Sequence, residues 1–315
     1  MEKISKILIA IDGSDQSMQA VRYISRFIRF KKTKIVLIHI LFEVPESFLD
    51  LRNDPTSTSP LIKASAWKAS AWNAKMKNDI NKHMEEAEKI FLNAGYPKSS
   101  ITKKIQKRKV GIARDLIKES LQNYSAVVVG RCGISKLKDV VVGTIAHKLV
   151  SRIDWIPVIV VGGKPDPNNV LIAFDGSEGS LKGVDCACSL MASEDREVML
   201  CHVIRSLNIQ LDIQKFFNSE QEQKWLQKHY ETIENNFLDA EKRLSNAGFL
   251  SPNIYKSVLT SKRSRAAAIT SSARNGGFGT IVLGRKGLTK VEEFLMGRVS
   301  RKVLHMADKM AVWIV

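Results

Sequence analysis

The chain has no apolar run near the roughly 20 residues that a membrane-spanning helix needs, which excludes a transmembrane segment of that kind. Cysteine is scarce: Cys132, Cys186, Cys188 and Cys201 are the whole complement. They lack the paired spacings of a zinc site, and Cys186-x-Cys188 alone is a weak signal. Reduced thiols in a cytoplasmic setting are the expectation. Aromatic residues make up only 7% of the chain. None interleaves with the densest basic run, Lys103-Lys104-Ile105-Gln106-Lys107-Arg108-Lys109, as a base-stacking platform requires. Nucleic acid is therefore not the expected partner, despite a net charge of +17. That charge is uneven. Residues 1–163 carry 28 Lys+Arg against 15 Asp+Glu, whereas residues 164–315 carry 21 against 17. The first residues, Met1-Glu2-Lys3-Ile4-Ser5-Lys6-Ile7-Leu8, enter a strand pattern at once and show no signal-peptide pattern.

What the chain does have is an internal repeat. Lys6-Ile7-Leu8-Ile9-Ala10-Ile11-Asp12-Gly13-Ser14 matches Asn169-Val170-Leu171-Ile172-Ala173-Phe174-Asp175-Gly176-Ser177. Ile35–Ile40 matches Val198–Val203, and Asn93-Ala94-Gly95-Tyr96 matches Asn246-Ala247-Gly248-Phe249. A period of this size is a duplicated domain rather than a solenoid. The expected units are residues 1–163 and 169–315. They are joined by the breaker-rich stretch Gly162-Gly163-Lys164-Pro165-Asp166-Pro167-Asn168-Asn169.

Within each half, strand and helix patterns alternate. In the first half, an apolar run over 6–12 reads as a buried strand and Ser14 as a helix N-cap. Met18, Val21, Ile24 and Ile28 then form one helical stripe. A strand is expected over 34–40, and a long helix over roughly 73–94 that stops at Gly95. Strand 101–107, helix 111–122 and strand Ala126–Val129 follow. A helix opening at Gly143-Thr144 carries Ile145, Leu149, Val150 and Ile153 on one face, and Pro157–Val161 is the last strand. The second half repeats this order and ends with strand Ala311–Val315. Pro45–Ser65 reads as an irregular loop, and Trp67 and Trp72 beyond it are expected to pack onto the domain. The alternation implies an α/β fold with a parallel, doubly wound sheet.

The chemistry-bearing signal is a pair of glycine loops. Val127-Val128-Val129-Gly130-Arg131-Cys132-Gly133 is followed, after nine intervening residues, by Gly143-Thr144. Ile281-Val282-Leu283-Gly284-Arg285-Lys286-Gly287 is followed, after nine intervening residues, by Gly297-Arg298. Gly130 and Gly133 would let the backbone approach a ligand or adopt positive φ. Gly143-Thr144 opens a helix whose unpaired N–H groups suit a phosphate, with the Thr144 hydroxyl as a further donor. Glycines serving turns alone is the competing reading. This is not the Gly-x4-Gly-Lys-Ser/Thr loop. Nor is it a Gly-x-Gly-x-x-Gly fingerprint, since the first turn holds Asp12-Gly13-Ser14. A carboxylate there suits a base, a ribose or a metal. Arg131 and Arg285 match each other and could reach phosphate or solvent. His39 and His202 occupy equivalent strand ends and are expected to be structural. Cys132 faces Lys286 in the alignment, so no shared catalytic thiol is expected. No nucleophile–base–acid set stands out, so an enzyme is not the expectation; weak ATP hydrolysis is the most that is left open.

Together these residues resemble the universal stress protein family, over nearly the whole chain, as two tandem copies. The resemblance implies two Rossmann-like domains of the adenine nucleotide alpha hydrolase-like kind, each a five-stranded parallel sheet of order 3-2-1-4-5 flanked by helices. It implies ATP as ligand, with Mg²⁺ as its optional companion. Carried onto this chain, Asp12 would lie near the adenine or ribose and the Ile40 backbone would contact adenine. Gly130, Gly133, Gly143, Thr144 and the Ile145 backbone would hold phosphates. The second set is Asp175, Val203, Gly284, Gly287, Gly297, Arg298 and Val299. Arg298 departs from the family's Ser or Thr: it either pairs with phosphate or fills the site, and the first repeat is expected to be the better one. The implied order makes the third strand an edge, where lysines discourage stray pairing. It also lets the two last strands pair within one chain as a pseudo-dimer, a further homodimer being left open. The expected function is a cytoplasmic, ATP-binding, stress-linked regulator. A non-nucleotide interaction module and a slow ATPase are the alternatives.

Overall fold

The computed structural model describes residues 5–28, 32–44, 60–133, 142–191, 193–205, 219–261, 264–287 and 296–315. The first repeat runs β1 (Lys6–Ala10), α1 (Asp15–Phe27), β2 (Lys34–Leu41), α2 (Pro60–Asn93) and β3 (Ile101–Lys107). It continues with α3 (Ile112–Ser120), β4 (Ala126–Gly130), α4 (Thr144–Arg152) and β5 (Val158–Val161). The second repeat runs β6 (Asn169–Ala173), α5 (Glu178–Met191), β7 (Glu197–Arg205), α6 (Ser219–Asn246) and β8 (Ile254–Ser261). It closes with α7 (Arg265–Asn275), β9 (Thr280–Leu283), α8 (Arg298–Met306) and β10 (Ala311–Ile314).

Each repeat forms the expected five-stranded parallel order, and the two join into one ten-stranded sheet, β3-β2-β1-β4-β5-β10-β9-β6-β7-β8. The join is antiparallel, with Ala311 opposite Val161 and Ile314 opposite Val158. All residues of β4, β5, β9 and β10 are buried. Helices cover both faces there, which is why these strands read as unbroken apolar runs rather than alternating ones. One face is packed by Met18 and Ile24 of α1, Phe91 of α2, Val184 of α5 and Phe237 of α6. The other is packed by Leu116 of α3, Leu149 of α4, Ile269 of α7 and Leu304 of α8. The basic run lies on β3, at one end of the sheet as expected. Its lysines pair with acids: Lys103 with Glu88 at 2.6 Å, Lys104 with Glu119 at 2.7 Å, and Lys107 with Glu43 at 3.0 Å.

The seam between repeats is held on both faces. On the α1 side, Trp313 of β10 is fully buried and lies 4.9 Å from the Phe27 ring. Its indole N–H donates to Tyr23 Oη at 3.0 Å, and Tyr23 Oη meets Thr280 Oγ1 at 2.8 Å. Burial pushes the Tyr23 phenol well above its ordinary pKa, so it stays a neutral hydroxyl. Arg196 donates to the Met191 and Phe27 carbonyls at 3.0 and 2.8 Å. On the other side, two arginines cross the seam. Arg131 donates to the carbonyls of Leu304 and Ala307 at the C-terminal end of α8, at 2.5 and 2.6 Å. Arg285 donates to the Ile153 carbonyl at the end of α4. Helix C-termini carry orphan carbonyls and a partial negative charge, so each arginine caps the last helix of the opposite repeat.

Two expectations need correction. The long helix begins at Pro60, well before residue 73. The irregular Pro45–Ser65 stretch is therefore helical from Pro60 on, and 45–59 lie outside the described residues. Trp67 is 61% exposed, with most of its surface facing solvent, whereas Trp72 meets Phe42 edge-on at 6.0 Å. The helix stops behave as read: Gly95 and Gly248 take φ of +86° and +105° just beyond α2 and α6. Tyr96 and Phe249 then close the turns onto the Phe91 and Leu244 carbonyls.

Trp313→Ala should cost about 3–5 kcal/mol, read as a lower denaturant midpoint. An unchanged midpoint would remove the seam from the account of stability. No disulfide joins the cysteines, and burial pushes the Cys186 and Cys201 thiols up to about 12. A thiol reagent at mildly alkaline pH should leave these two unmodified until the chain is unfolded; native-state labelling of Cys201 would contradict the packing.

Candidate functional site

The first turn of each repeat is built identically. Asp12 Oδ1 accepts hydrogen bonds from the Ser14 amide at 3.0 Å and the Ser14 hydroxyl at 2.6 Å. Ser14 Oγ accepts from the Ser17 amide at 3.2 Å, capping α1. In the second repeat Asp175 Oδ1 accepts from Ser177 N at 3.1 Å and Oγ at 2.5 Å, and Ser177 Oγ accepts from Ser180 N at 3.2 Å. Gly13 and Gly176 supply the positive φ of +83° and +74° that these turns require. The turn holds the carboxylate by one oxygen and aims the other at the glycine loop. A Cβ on Gly133 would come within 2.6 Å of Asp12 Oδ2, and one on Gly287 within 2.6 Å of Asp175 Oδ2. The first and fourth strand-to-helix loops therefore converge in both repeats.

The glycines divide into two kinds. Neither Gly130 nor Gly133 has positive φ. A Cβ on Gly130 would sit 2.8 Å from the Gln16 carbonyl carbon and the Ser17 amide, and one on Gly284 would sit 2.4 Å from the Gly179 carbonyl carbon. These two glycines let the strand end approach the first turn of α1 or α5, and their neighbour is backbone. Gly133 and Gly287 instead face the carboxylate. Gly143 donates its amide to the Arg131 carbonyl at 2.7 Å, and Gly297 donates to Arg285 at 2.8 Å, so both amides are spent closing their loops. The helix-start N–H groups that remain are those of Thr144, Ile145 and Ala146, and of Arg298, Val299 and Ser300. Thr144 and Arg298 are exposed, whereas Ile145 and Val299 rest against the core.

Arg131 and Arg285 are turned into the seam, buried at 3% and 9% exposure, so neither of the two outcomes left open for them, phosphate or solvent, is the one found. His39 and His202 donate through Nδ1 to the Ile11 and Phe174 carbonyls at 2.7 and 2.8 Å. Burial lowers the His39 pKa, keeping that ring neutral. Ile40 and Val203 are both buried at the ends of their strands. The Val203 carbonyl accepts from Arg265 Nε at 3.3 Å.

In the second repeat these parts enclose a cleft of about 490 Å³. Ala173, Val203, Ile269 and Leu283 give it apolar walls, and Asp175, Gly287 and Gly297 border it. Arg298 lines this cleft rather than filling it. Arg265 and Lys302 also line it and were not singled out by motif reading. Arg265 could have been found by aligning helix caps: it follows N-cap Ser264 as Ile112 follows N-cap Gly111.

A model of the universal stress protein family matches residues 3–162 and again 167–315. The chain belongs to the universal stress protein family. Universal stress protein YxiE of Bacillus subtilis is 27% identical over 171 residues, covering 50% of this chain and 98% of that protein. Across the full tandem length, the chain shares its fold with a universal stress protein from Archaeoglobus fulgidus. That likeness has a TM-score of 0.59 at 16% identity and covers 99% of this chain and 98% of the other. A Pseudomonas aeruginosa protein of the same description superposes with TM-score 0.52 at 14% identity, over 100% of this chain and 94% of its own.

Because Gly130 packs against backbone, Gly130→Ala should destabilise the protein by about 1–3 kcal/mol with no ligand present. Thermal melting of the ligand-free variant measures this. A wild-type melt would return Gly130 to a purely ligand-facing role.

Proposed function

We propose that each repeat, residues 1–163 and 169–315, binds ATP across the C-terminal ends of its strands. The protein then acts as a cytoplasmic stress-linked regulator whose partner binding follows nucleotide occupancy. The observation that carries this reading is the second-repeat cleft, where a carboxylate, a glycine loop and a helix N-terminus meet above apolar walls. Its volume lies within the range of small-molecule sites. The Arg298 and Val299 amides and the loop at Gly284 and Gly287 suit the phosphates. Asp175 suits the ribose, and Val203, Ile269 and Leu283 suit the base. Asp12, Ile40, Gly130, Gly133, Gly143, Thr144 and Ile145 supply the same parts in the first repeat. Mg²⁺ would enter with the nucleotide, held mainly by its phosphates, as this ion commonly is. Binding rather than turnover is the proposed activity, since no nucleophile–base–acid set stands out in the sequence.

An open cleft stands beside Arg298, and on that ground the second repeat is proposed to bind as well as the first, although the sequence favoured the first. Equilibrium dialysis with labelled ATP should approach two nucleotides per chain. Gly143→Val and Gly297→Val should each remove about one. Absence of binding at millimolar ATP would overturn the nucleotide reading.

A further inference from the structure

The two repeats place different chemistry around the same scaffold. The second-repeat cleft is lined by Arg265, Lys286, Arg298 and Lys302. Counted from the matching caps and loops, the first repeat has Ile112, Cys132, Thr144 and Lys148 at those positions. Among the described residues, four cations line the cleft against a single carboxylate, Asp175, where the matching positions of the first repeat hold one cation. Clustered charge inside a concave, partly apolar cleft focuses its field on whatever enters. Arg298 and Lys302 have no hydrogen-bond or ion-pair partner among the described residues.

The positions of these cations matter as much as their number. Lys286, Arg298 and Lys302 belong to the glycine loop and to α8, the end suited to a phosphate chain. Arg265 belongs to the start of α7 and reaches the Val203 carbonyl at the far strand end, beyond Asp175. Its Nε is used by that carbonyl, which anchors the guanidinium at this border of the cleft, and its terminal nitrogens have no hydrogen-bond partner among the described residues. In the first repeat the corresponding wall is Gly111 and Ile112, which offers no charge.

We infer that the second-repeat cleft selects a nucleotide with a second anionic group at its ribose end, a nucleoside bisphosphate in chemical class, which Arg265 binds while the glycine loop holds the first phosphate. This inference rests on the nucleotide reading of the cleft. A guanidinium meeting a phosphate makes charge-assisted hydrogen bonds, and one such contact is worth about tenfold or more in affinity.

Isothermal titration of the full chain tests it, with AMP and adenosine 3′,5′-bisphosphate as probes and Gly143→Val used to silence the first repeat. The bisphosphate should bind about tenfold or more tightly than AMP, and the preference should shrink as ionic strength rises. Arg265→Ile, which installs the first repeat's residue, should bring the ratio close to one, and Arg265→Lys should restore part of it. Arg265 is exposed at a helix start, so circular dichroism of Arg265→Ile should match the parent. Equal affinities in the parent, or a preference that survives Arg265→Ile, would overturn the inference while ATP binding stands. Failure of ATP, AMP and the bisphosphate alike would overturn both this inference and the nucleotide reading beneath it.

Discussion

Four residue pairs join β5 to β10, and the rest of the molecule is arranged around that ladder. Without it, each repeat would present an unpaired row of backbone N–H and C=O groups on an apolar edge strand, a template for aggregation. The antiparallel pairing removes both edges at once. It also places equivalent residues of the two repeats in mutual reach. Arg131 and Arg285 occupy the same position in their loops, and each caps the last helix of the other repeat. The same seam buries Trp313 against Phe27 and gives its indole N–H a partner in Tyr23. The linker between the repeats keeps the two edges at high effective concentration, so the pairing is intramolecular by construction.

This seam bears directly on the sites. Arg131 lies between Gly130 and Gly133, and its carbonyl receives the Gly143 amide while its guanidinium grips the far end of α8. The N-terminus of α8 is in turn the wall of the second-repeat cleft. Arg285 makes the reciprocal link to the end of α4. The start of each glycine loop is thus tied to its own repeat through the Gly143 or Gly297 amide and to the other repeat through an arginine.

Much of the fold was legible in sequence because the repeat supplies each element twice and the strands are apolar throughout. The edge position of β3 followed from the strand order that the family resemblance implies, and its lysines agree with it; the helix stops were legible from Gly95 and Gly248. The start of α2 was not, because Pro60–Asn93 has an irregular apolar pattern that leaves Trp67 exposed. The arginine caps were not, because their partners lie in the other repeat, far along the chain. Gly130 shows a third limit. A glycine after a strand is equally consistent with a ligand and with a neighbouring backbone, and the neighbour turned out to be α1. The convergence of Asp12 with Gly133, and of Asp175 with Gly287, was implied by strand order. The cationic lining of the second cleft was not, because Arg265 sits outside every motif.

The two repeats are proposed as nucleotide sites of one design and two ligand preferences, built on a single sheet. The most direct measurement is a crystal structure grown with ATP and Mg²⁺. The account predicts phosphate density against the Arg298 and Val299 amides and Gly287 in the second repeat, and against Thr144, Ile145 and Gly133 in the first. Nucleotide bound away from both glycine loops, or both clefts empty at saturating ATP, would contradict it.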